Sequence, residues 1–443
     1  MGIRLSDHFT YKKLLRFVLP SIAMMVFISV YGVVDGFFVS NFAGKTSFAA
    51  INLVMPFVML LGGIGFMVGT GGTALVSKVL GEGNREKANR YFSMMVFLTL
   101  LLGVLLTAVG IAAMEPVARF LGATDAMIAD SVLYGRIVVG FTTAFMLQNV
   151  FQSFLIAAEK PKLGLLATIA AGLTNILLDA LFVGGFGWGV AGAAIATGIS
   201  QCVGGLLPLF YFLRPNDSLL RLVRTKLELA PLVKACTNGS SELMSSISSS
   251  VVSMVYNFQL LEYIGEDGVS AYGVLMYVQF IFVAIYIGYS VGCAPVIGYH
   301  YGAGNRDELK NMLRKSALLI GSAGVLLTLL ARLLASPLAS IFVGYDETLH
   351  ALTEHAFRLF SFSFLLSGFN IFTSAFFTAL NNGFVSAAIS FLRTLLFQTC
   401  CVLVLPVLFD IDGIWWAITA AEVFAFAISL TFLLTKRKKY GYM

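Results

Sequence analysis

The chain has 443 residues, of which 58% are hydrophobic and only 12% are charged. Soluble globular domains carry about 25% charged residues, so this composition excludes that class and indicates a polytopic membrane protein. Its five cysteines show no CxxC spacing, which argues against a disulfide framework and against a zinc site.

Apolar runs of roughly 20 residues, long enough to cross the hydrocarbon layer as a helix, occur twelve times. The runs are continuous and lack the alternation of barrel strands, so we expect an all-α integral membrane fold with twelve transmembrane helices. The first run is too long for a signal peptide and is interpreted as the first span. The predicted spans are 14–39, 49–77, 92–114, 132–157, 163–185, 190–213, 236–262, 270–297, 316–335, 357–380, 385–408 and 413–434.

Lysine and arginine cluster before the first span, after the second, fourth, sixth and eighth spans, and at the C-terminal end. The loops between these clusters carry acids, as in GATDAMIAD and GYDETLH. By the positive-inside rule, we expect both termini to be cytoplasmic, with the chain in the plasma (inner) membrane. This asymmetry accounts for the net charge of +6, so no nucleic-acid partner is expected.

The chain contains an internal repeat. GEGNREKANR (81–90) recurs 221 residues later as GAGNRDELKN, and the same offset relates FQSFLIAAEKPK (151–162) to FTSAFFTALNNG. We therefore predict an N-terminal six-helix lobe (1–213), a basic cytoplasmic linker (214–235) and a C-terminal six-helix lobe (236–443). Because six is even, the lobes should be related by a pseudo-twofold axis along the membrane normal, with a cavity between them.

Two carboxylates lie within predicted spans of the first half, Asp35 in YGVVDGFFVSNFAG and Asp179 in TNILLDALF. A carboxylate at bilayer depth costs roughly 2.5–3.5 kcal/mol on insertion scales, so it tends to face a cavity, pair or carry function. Tyr31 and Asn175 each precede one of these acids by four residues and therefore share its helix face. The alternative is that both acids only bond to neighbouring helices.

Further polar groups accompany these acids on the other spans of the first half. Thr197 adds a hydroxyl on the sixth span, and Gln148 and Asn149 add amides on the fourth. The set offers enough oxygen atoms to bind H⁺ or a small hard cation such as Na⁺. We predict cation coupling at Asp35, Asp179, Asn175, Tyr31 and Thr197, with Na⁺ ligands at Asp35, Asn175 and Asp179.

The second half does not repeat the acid, because Tyr256 occupies the position 221 residues after Asp35. Glu242 opens its span, and Arg393 lies near enough to snorkel or to pair with Glu422. Aromatic and methionine side chains there either line a pocket for organic cations or only pack helices. The candidates for the substrate cavity are Gln148, Asn149, Tyr256, Met276, Tyr277 and Glu242.

Pro20 lies within the first span, fifteen residues before Asp35. Proline frees a backbone carbonyl and permits a kink, so Pro20 is predicted as a helix kink that could couple to the acid. The alternative is a proline that the span simply tolerates.

Several stretches resemble the multidrug and toxic compound extrusion (MATE) transporters, and the bacterial drug-exporter branch in particular. They are YGVVDGFFVSNFAG, LVSKVLGEGN, NILLD followed by GVAGAAIAT, and PVIGYHYGAGNR, and the similarity covers essentially the whole chain. The resemblance implies a V-shaped pair of lobes that exports organic cations against inward H⁺ or Na⁺ flow. Pro20, Tyr31, Asp35, Asn175, Asp179 and Thr197 match the first-lobe cation-site pattern of the family.

One departure from the family concerns the seventh span. Some members carry a deeper acid there, where this chain has SSISSSVVS (245–253), and Glu242 lies a few residues too early to replace it. A second-lobe cation site is therefore not expected.

We predict a secondary active antiporter that exports cationic amphipathic compounds by alternating access, as a monomer and without a cofactor other than the coupling ion. The alternative is a flippase of lipid-linked precursors or polysaccharides from the same superfamily, although the spans offer few buried basic residues to hold a diphosphate. The chain has no HExxH motif, nucleophile elbow or Walker motif, so we expect neither an enzyme nor an ATP-driven pump.

Overall fold

The computed structural model describes residues 3–42 and 45–443, which are helical almost throughout. Two short π-helical segments interrupt the α-helices, Ala180–Gly185 and Leu392–Phe397. The α-helices of the first half are α1 (Tyr11–Phe42), α2 (Lys45–Gly81), α3 (Arg85–Phe120), α4 (Ile128–Gly140), α5 (Thr142–Ala157), α6 (Pro161–Asp179) and α7 (Gly189–Leu213). Those of the second half are α8 (Leu229–Tyr263), α9 (Glu266–Gly302), α10 (Arg306–Leu333), α11 (Ala335–Val343), α12 (Glu347–Phe360), α13 (Phe364–Ala379), α14 (Gly383–Phe391) and α15 (Gln398–Tyr440).

The predicted spans all lie on these helices. In the described ranges, nine helical segments are long and apolar enough to cross a membrane, and α4 with α5, bent by 53°, forms a tenth. Helix α8 is not among these segments, because the serines at 245–253 lower its mean hydropathy. The segment 383–440 holds two predicted spans, because its helical geometry breaks at Phe409 and Asp410.

The repeated sequence forms the same helix–turn–helix in each half. After α2 and after α9, a glycine adopts a left-handed conformation, Gly83 with φ +81° and Gly304 with φ +69°. Asn84 and Asn305 then cap α3 and α10, each accepting from the backbone N–H three residues on, at 3.0 and 3.1 Å. The repeated sequence therefore forms the same asparagine-capped turn in both halves.

These turns lie on one side of the helix bundle, together with the N-terminal segment, residues 158–160, the linker 214–228 and the C-terminal residues 440–442. We call it the basic side. Contacts between the segments show that they are neighbours: Lys160 Nζ lies 2.9 Å from Asp217 Oδ2, and Gly441 packs on Arg306. Helix α8 begins at Leu229, within the range 214–235 predicted for the linker.

The two halves meet on the basic side in a close glycine seam. A Cβ atom added at Gly71 of α2 would collide with the carbonyl oxygen of Ala235 in α8, and one added at Gly239 would collide with that of Met67. Further along, Gly81 lies against the Tyr299 carbonyl of α9 and Gly302 lies against that of Lys78. We call Gly71, Gly81, Gly239 and Gly302 the glycine seam, which brings the helix backbones into direct contact.

An N-terminal strap, residues 3–9, also joins the halves on the basic side. Its Leu5 N–H donates to Glu159 Oε1 of the first half at 2.7 Å. Its Phe9 N–H donates to Glu308 Oε1 of α10 at 2.9 Å, and His8 Nδ1 lies 2.6 Å from Glu308 Oε2. Because Leu5 and Phe9 are fully buried, the strap is part of the packed structure.

Candidate cation site

The site is built where α1 packs against α6. A Cβ atom at Gly172 of α6 would collide with the Phe27 ring and would lie 3.0 Å from a ring carbon of Tyr31. Gly172 precedes Asn175 by three residues and Asp179 by seven, so all three share one face of α6. The missing side chain therefore lets α1 approach the face that carries the two polar groups.

Asp35 of α1 meets Asp179 and Asn175 of α6 at this contact. The Asp35 carboxyl lies beside the Asp179 carboxyl and the Asn175 side chain. Asp179 is fully buried and Asn175 is 2% exposed. Two carboxyl groups can bond to each other only when one of them carries a proton, because an ionised carboxylate only accepts.

Five buried oxygen atoms of the two acids and their neighbours accept no hydrogen bond from the described residues. They are Asp35 Oδ1, Asn175 Oδ1, both oxygens of Asp179 and Thr197 Oγ1. A buried polar atom left unpaired costs about 1–3 kcal/mol, so a proton or cation bound among these five oxygen atoms would offset that cost. Oxygen atoms are the ligands that Na⁺-like hard cations and protons take, so the donor set fits either ion.

The two acids have no basic partner in the described part of the chain. Neither Asp35 nor Asp179 forms an ion pair there with Lys, Arg or His. The described residues likewise contain no group of three or more His, Cys, Asp and Glu side chains placed to hold a metal. The acids are thus unlike a structural ion pair, in which each charge has a fixed partner.

Tyr134 of α4 is a further neighbour of the acids that the sequence did not indicate. This side chain is 1% exposed and lies close enough to Asp35 and Asp179 to interact electrostatically with both, and its hydroxyl donates to Met55 Sδ at 3.9 Å. It gets there because α4 and α5 bend at Phe141, whose ring occupies the space left open by Gly198 of α7. A tyrosine in an apolar span gives no signal of its own, and the bend was not predicted.

The two predicted amides have different surroundings. Gln148 is within hydrogen-bonding reach of Tyr31 and packs against Gly204, so it belongs to the edge of the cluster. Asn149 is 2% exposed and its Nδ2 donates to the Gly62 carbonyl oxygen of α2 at 3.0 Å. Asn149 therefore links α5 to α2.

The buried ion pair of the second half is fully satisfied. Arg393 Nη2 lies 2.7 Å from Glu422 Oε1, and Arg393 Nε lies 3.0 Å from both Glu422 oxygens. Asn370 Nδ2 donates to Glu422 Oε2 at 2.7 Å and Ser429 donates to Asn370 Oδ1 at 3.0 Å. This network holds the two arms of the 383–440 hairpin together.

The other predicted cavity residues differ in exposure and in the side chains that they contact. Tyr256 is 1% exposed and stacks on Tyr272 with ring centroids 5.0 Å apart, so it lies in the core. Tyr277 is 44% exposed and stacks on Phe342 of α11, whereas Met276 packs against the core. Glu242 is half-buried on α8, and the ion pairs of the described residues do not include it.

Pro20 lies buried within α1, which continues as a helix through it. Its ring nitrogen has no hydrogen, so the Arg16 carbonyl lacks its usual i+4 donor. The next residues, Ser21 and Ile22, contact Gly288 of α9. Pro20 therefore sits where the first half meets the second, and a kink there remains a prediction.

Comparison with known proteins adds to this geometry. "Multidrug export protein MepA" of Staphylococcus saprophyticus is 25% identical over 439 residues, covering 96% of this chain and 94% of that protein. The Staphylococcus aureus protein of the same name is 23% identical, covering 93% and 91%.

Solved structures share the fold. A structure described as the outward-facing conformation of a multidrug resistance MATE family transporter matches with a TM-score of 0.93 at 21% identity, covering 98% of both chains. A MATE structure in complex with MaL6 matches with a TM-score of 0.92 at 22% identity, covering 98% of this chain and 97% of that one. The MatE family model matches residues 20–181 and 243–402. This multi-pass membrane protein therefore belongs to the MatE family, as the sequence resemblance predicted.

Proposed function

We propose that the protein is a secondary active antiporter of the plasma membrane that exports cationic amphipathic compounds in exchange for inward H⁺ or Na⁺. The observation that carries this proposal is the pair formed by the half-buried Asp35 and the fully buried Asp179, which lies within a membrane-spanning bundle without a basic partner in the described residues. Two relatives of the chain bear the name multidrug export protein, which supports drugs as the cargo.

The proposed mechanism is alternating access of two lobes, 1–213 and 236–443. With the basic side closed by the glycine seam, an ion from outside binds between Asp35 and Asp179 and removes the repulsion of their charges. The seam then opens, and the ion leaves to the cytoplasm as the compound binds. Charge asymmetry of the loops supports a cytoplasmic basic side and cytoplasmic termini.

Energetics favour an exchange that uses an ion gradient. One inward ion against one outward monovalent cation moves no net charge, so only the concentration gradient of the ion drives it. A second ion per cycle would add about 2.3 kcal/mol per 100 mV of membrane potential. The two carboxylates provide room for either stoichiometry.

Recognition of the exported organic cation is proposed to involve Glu242, because it is a half-buried carboxylate on α8 next to the contact with α2. The nearby side chains of Leu243 and Ser246 pack against Gly63 of α2, so the two halves are in contact there. Lipid-linked diphosphates would need free buried cations instead, and Arg393 is already bound by Glu422.

The test is transport of a fluorescent organic cation in proteoliposomes of purified protein, under an imposed pH gradient and, separately, a Na⁺ gradient. We expect counterflow under at least one gradient and its loss, by more than about tenfold, in Asp35→Asn, because the amide can neither release a proton nor pair with a cation. Transport without either gradient, or full transport by a folded Asp35→Asn protein, would refute the antiporter.

A further inference from the structure

A groove of about 860 Å³ lies at the basic-side end of α7, beyond Thr197 of the cation site on the same helix. Its walls come from the last turns of α7 and from the linker that follows. The side chains that matter here are Leu207, Phe210 and Tyr211 of α7, and Arg214, Asp217 and Arg221 of the linker. Pockets of about 300–1,000 Å³ hold small ligands.

One end of the groove is apolar and faces outward from the bundle. Leu207 is 49% exposed and Phe210 is 55% exposed, on a helix that is long and apolar enough to span the membrane. Arg214 follows directly after the last residue of that helix. The groove therefore runs from the hydrocarbon-facing surface of α7 to the charged residues at its end.

The charged end carries an excess of positive charge. Its one carboxylate, Asp217, is bound by Lys160 Nζ at 2.9 Å, and the Tyr211 hydroxyl approaches it at 3.4 Å. The Lys160 ammonium beside Asp217 lowers the pKa of that carboxyl, so Asp217 stays ionised and matched to Lys160. Among the described residues, neither Arg214 nor Arg221 forms a salt bridge. Arg221 Nη2 donates to the Asn216 carbonyl oxygen at 3.4 Å, so both guanidinium groups keep a charge that no carboxylate of the described residues neutralises.

The end of α7 would ordinarily repel an anion, because its last carbonyl groups point out of the helix. Asn216 removes part of that obstacle, since its Nδ2 donates to the carbonyl oxygens of Tyr211 at 3.2 Å and Arg214 at 2.9 Å. The groove thus turns donors and cations, rather than bare carbonyls, toward a ligand.

The linker is held in place, so the site is formed in advance. Arg85 of α3 donates to the carbonyl oxygens of Ser218 and Leu219, at 3.1 and 3.0 Å. The Arg221 N–H donates to Asn89 Oδ1 at 3.0 Å, and Leu220 is fully buried between these contacts.

We propose that this groove binds an anionic phospholipid of the basic-side leaflet, with the phosphate between Arg214 and Arg221 and an acyl chain along Leu207 and Phe210. Guanidinium groups match phosphate oxygens in geometry and charge, and basic pockets beside spanning helices suit anionic headgroups. The apolar wall selects a lipid over free phosphate. The bound lipid fastens the linker between the halves to α7.

Native mass spectrometry of the full-length, delipidated protein tests this site, with phosphatidylglycerol, phosphatidylcholine and inorganic phosphate titrated separately. We expect phosphatidylglycerol to bind most tightly, and its affinity to fall at least about tenfold in Arg214→Gln/Arg221→Gln, since two charge-assisted contacts are lost. Arg224→Gln is the matched control, because Arg224 is an exposed linker arginine outside the groove.

Arg214→Lys/Arg221→Lys keeps the charge and should retain an intermediate affinity, which guards against misfolding of the glutamine variant. Equal binding of phosphatidylcholine, equal loss in Arg224→Gln, or full saturation by inorganic phosphate would each overturn the lipid site. None of these measurements depends on transport, so the result is independent of the proposed antiport.

Discussion

Two acidic residues within the helix bundle, the half-buried Asp35 and the buried Glu422, have opposite surroundings. Glu422 is held by three hydrogen bonds from Arg393 and two from Asn370, one of which reaches its backbone. Asp35 has a carboxyl neighbour and a buried oxygen without a donor. A fixed partner is typical of a charged residue that stabilises the fold, whereas a carboxylate without one is consistent with the ion-binding role proposed for Asp35.

This contrast predicts opposite effects on stability. Glu422→Gln should lower the free energy of unfolding by about 3–5 kcal/mol, because it leaves the Arg393 charge buried and unpaired. Asp35→Asn should leave stability unchanged or raise it, because it removes an unmatched buried charge. Thermal unfolding of the purified variants in detergent, followed by tryptophan fluorescence, measures both, and a strongly destabilised Asp35→Asn protein would assign that acid to the fold.

At the scale of helices, single glycines decide how the site is assembled. Gly172 brings α1 onto α6, and Gly198 makes room for Phe141 at the bend between α4 and α5. Spacing along the sequence predicted that Tyr31 shares a face with Asp35 and Asn175 with Asp179. It could not predict that Tyr134 joins them, because that depends on a bend and on a space in another helix.

We expect Gly172→Ala to impair the site. The added methyl group collides with Phe27, and overpacking of this kind costs about 1–3 kcal/mol. Because Phe27 and Tyr31 must shift, ion-coupled transport should fall more than the amount of folded protein does. Gly140→Ala is the control, since a Cβ atom there meets nothing within 4 Å. Equal transport by the two variants would show that this helix contact does not set the site.

The N-terminal strap gives a second prediction for a short element. Glu308→Ala removes the acceptor for the Phe9 N–H and for His8 and Asn311, which bond to it at 2.9, 2.6 and 2.7 Å. The loss of hydrogen bonds at a buried acceptor should cost about 1–3 kcal/mol. Asp307→Asn, at the exposed neighbouring position, should leave the unfolding temperature in place. Similar unfolding temperatures for both variants would mean that the strap contributes nothing to stability.

Much of the architecture follows from the sequence, since the twelve apolar runs all lie on helices and the FDIDG loop marks the break at Phe409 and Asp410. The glycine seam could not be predicted from the sequence, because glycines are common in membrane helices and 43 of them occur here. Which ones touch another backbone depends on long-range packing. The sequence predicts only a basic segment before the first span. It does not predict the strap, because the partners Glu159 and Glu308 are distant in sequence.

For the whole molecule, the seam should control which side of the protein is open. Gly71→Ala places a methyl group against the Ala235 carbonyl, so the closed packing on the basic side is disfavoured and the alternative conformation gains population. Labelling of a cysteine introduced near Ala303, in an otherwise cysteine-free protein, should become faster. Gly273→Ala, where a Cβ atom meets nothing within 4 Å, is the control. An unchanged labelling rate would mean that the seam does not act as a gate.

Two contacts of that seam are reciprocal: Gly81 touches Tyr299 and Gly302 touches Lys78, and these two glycines and their two partners are each 221 residues apart. Such self-matching is the hallmark of an isologous interface between identical subunits. The two halves therefore associate as a dimer of repeats does, through their surfaces rather than through the peptide that joins them. A chain cut between residues 223 and 229 should still assemble from its two pieces.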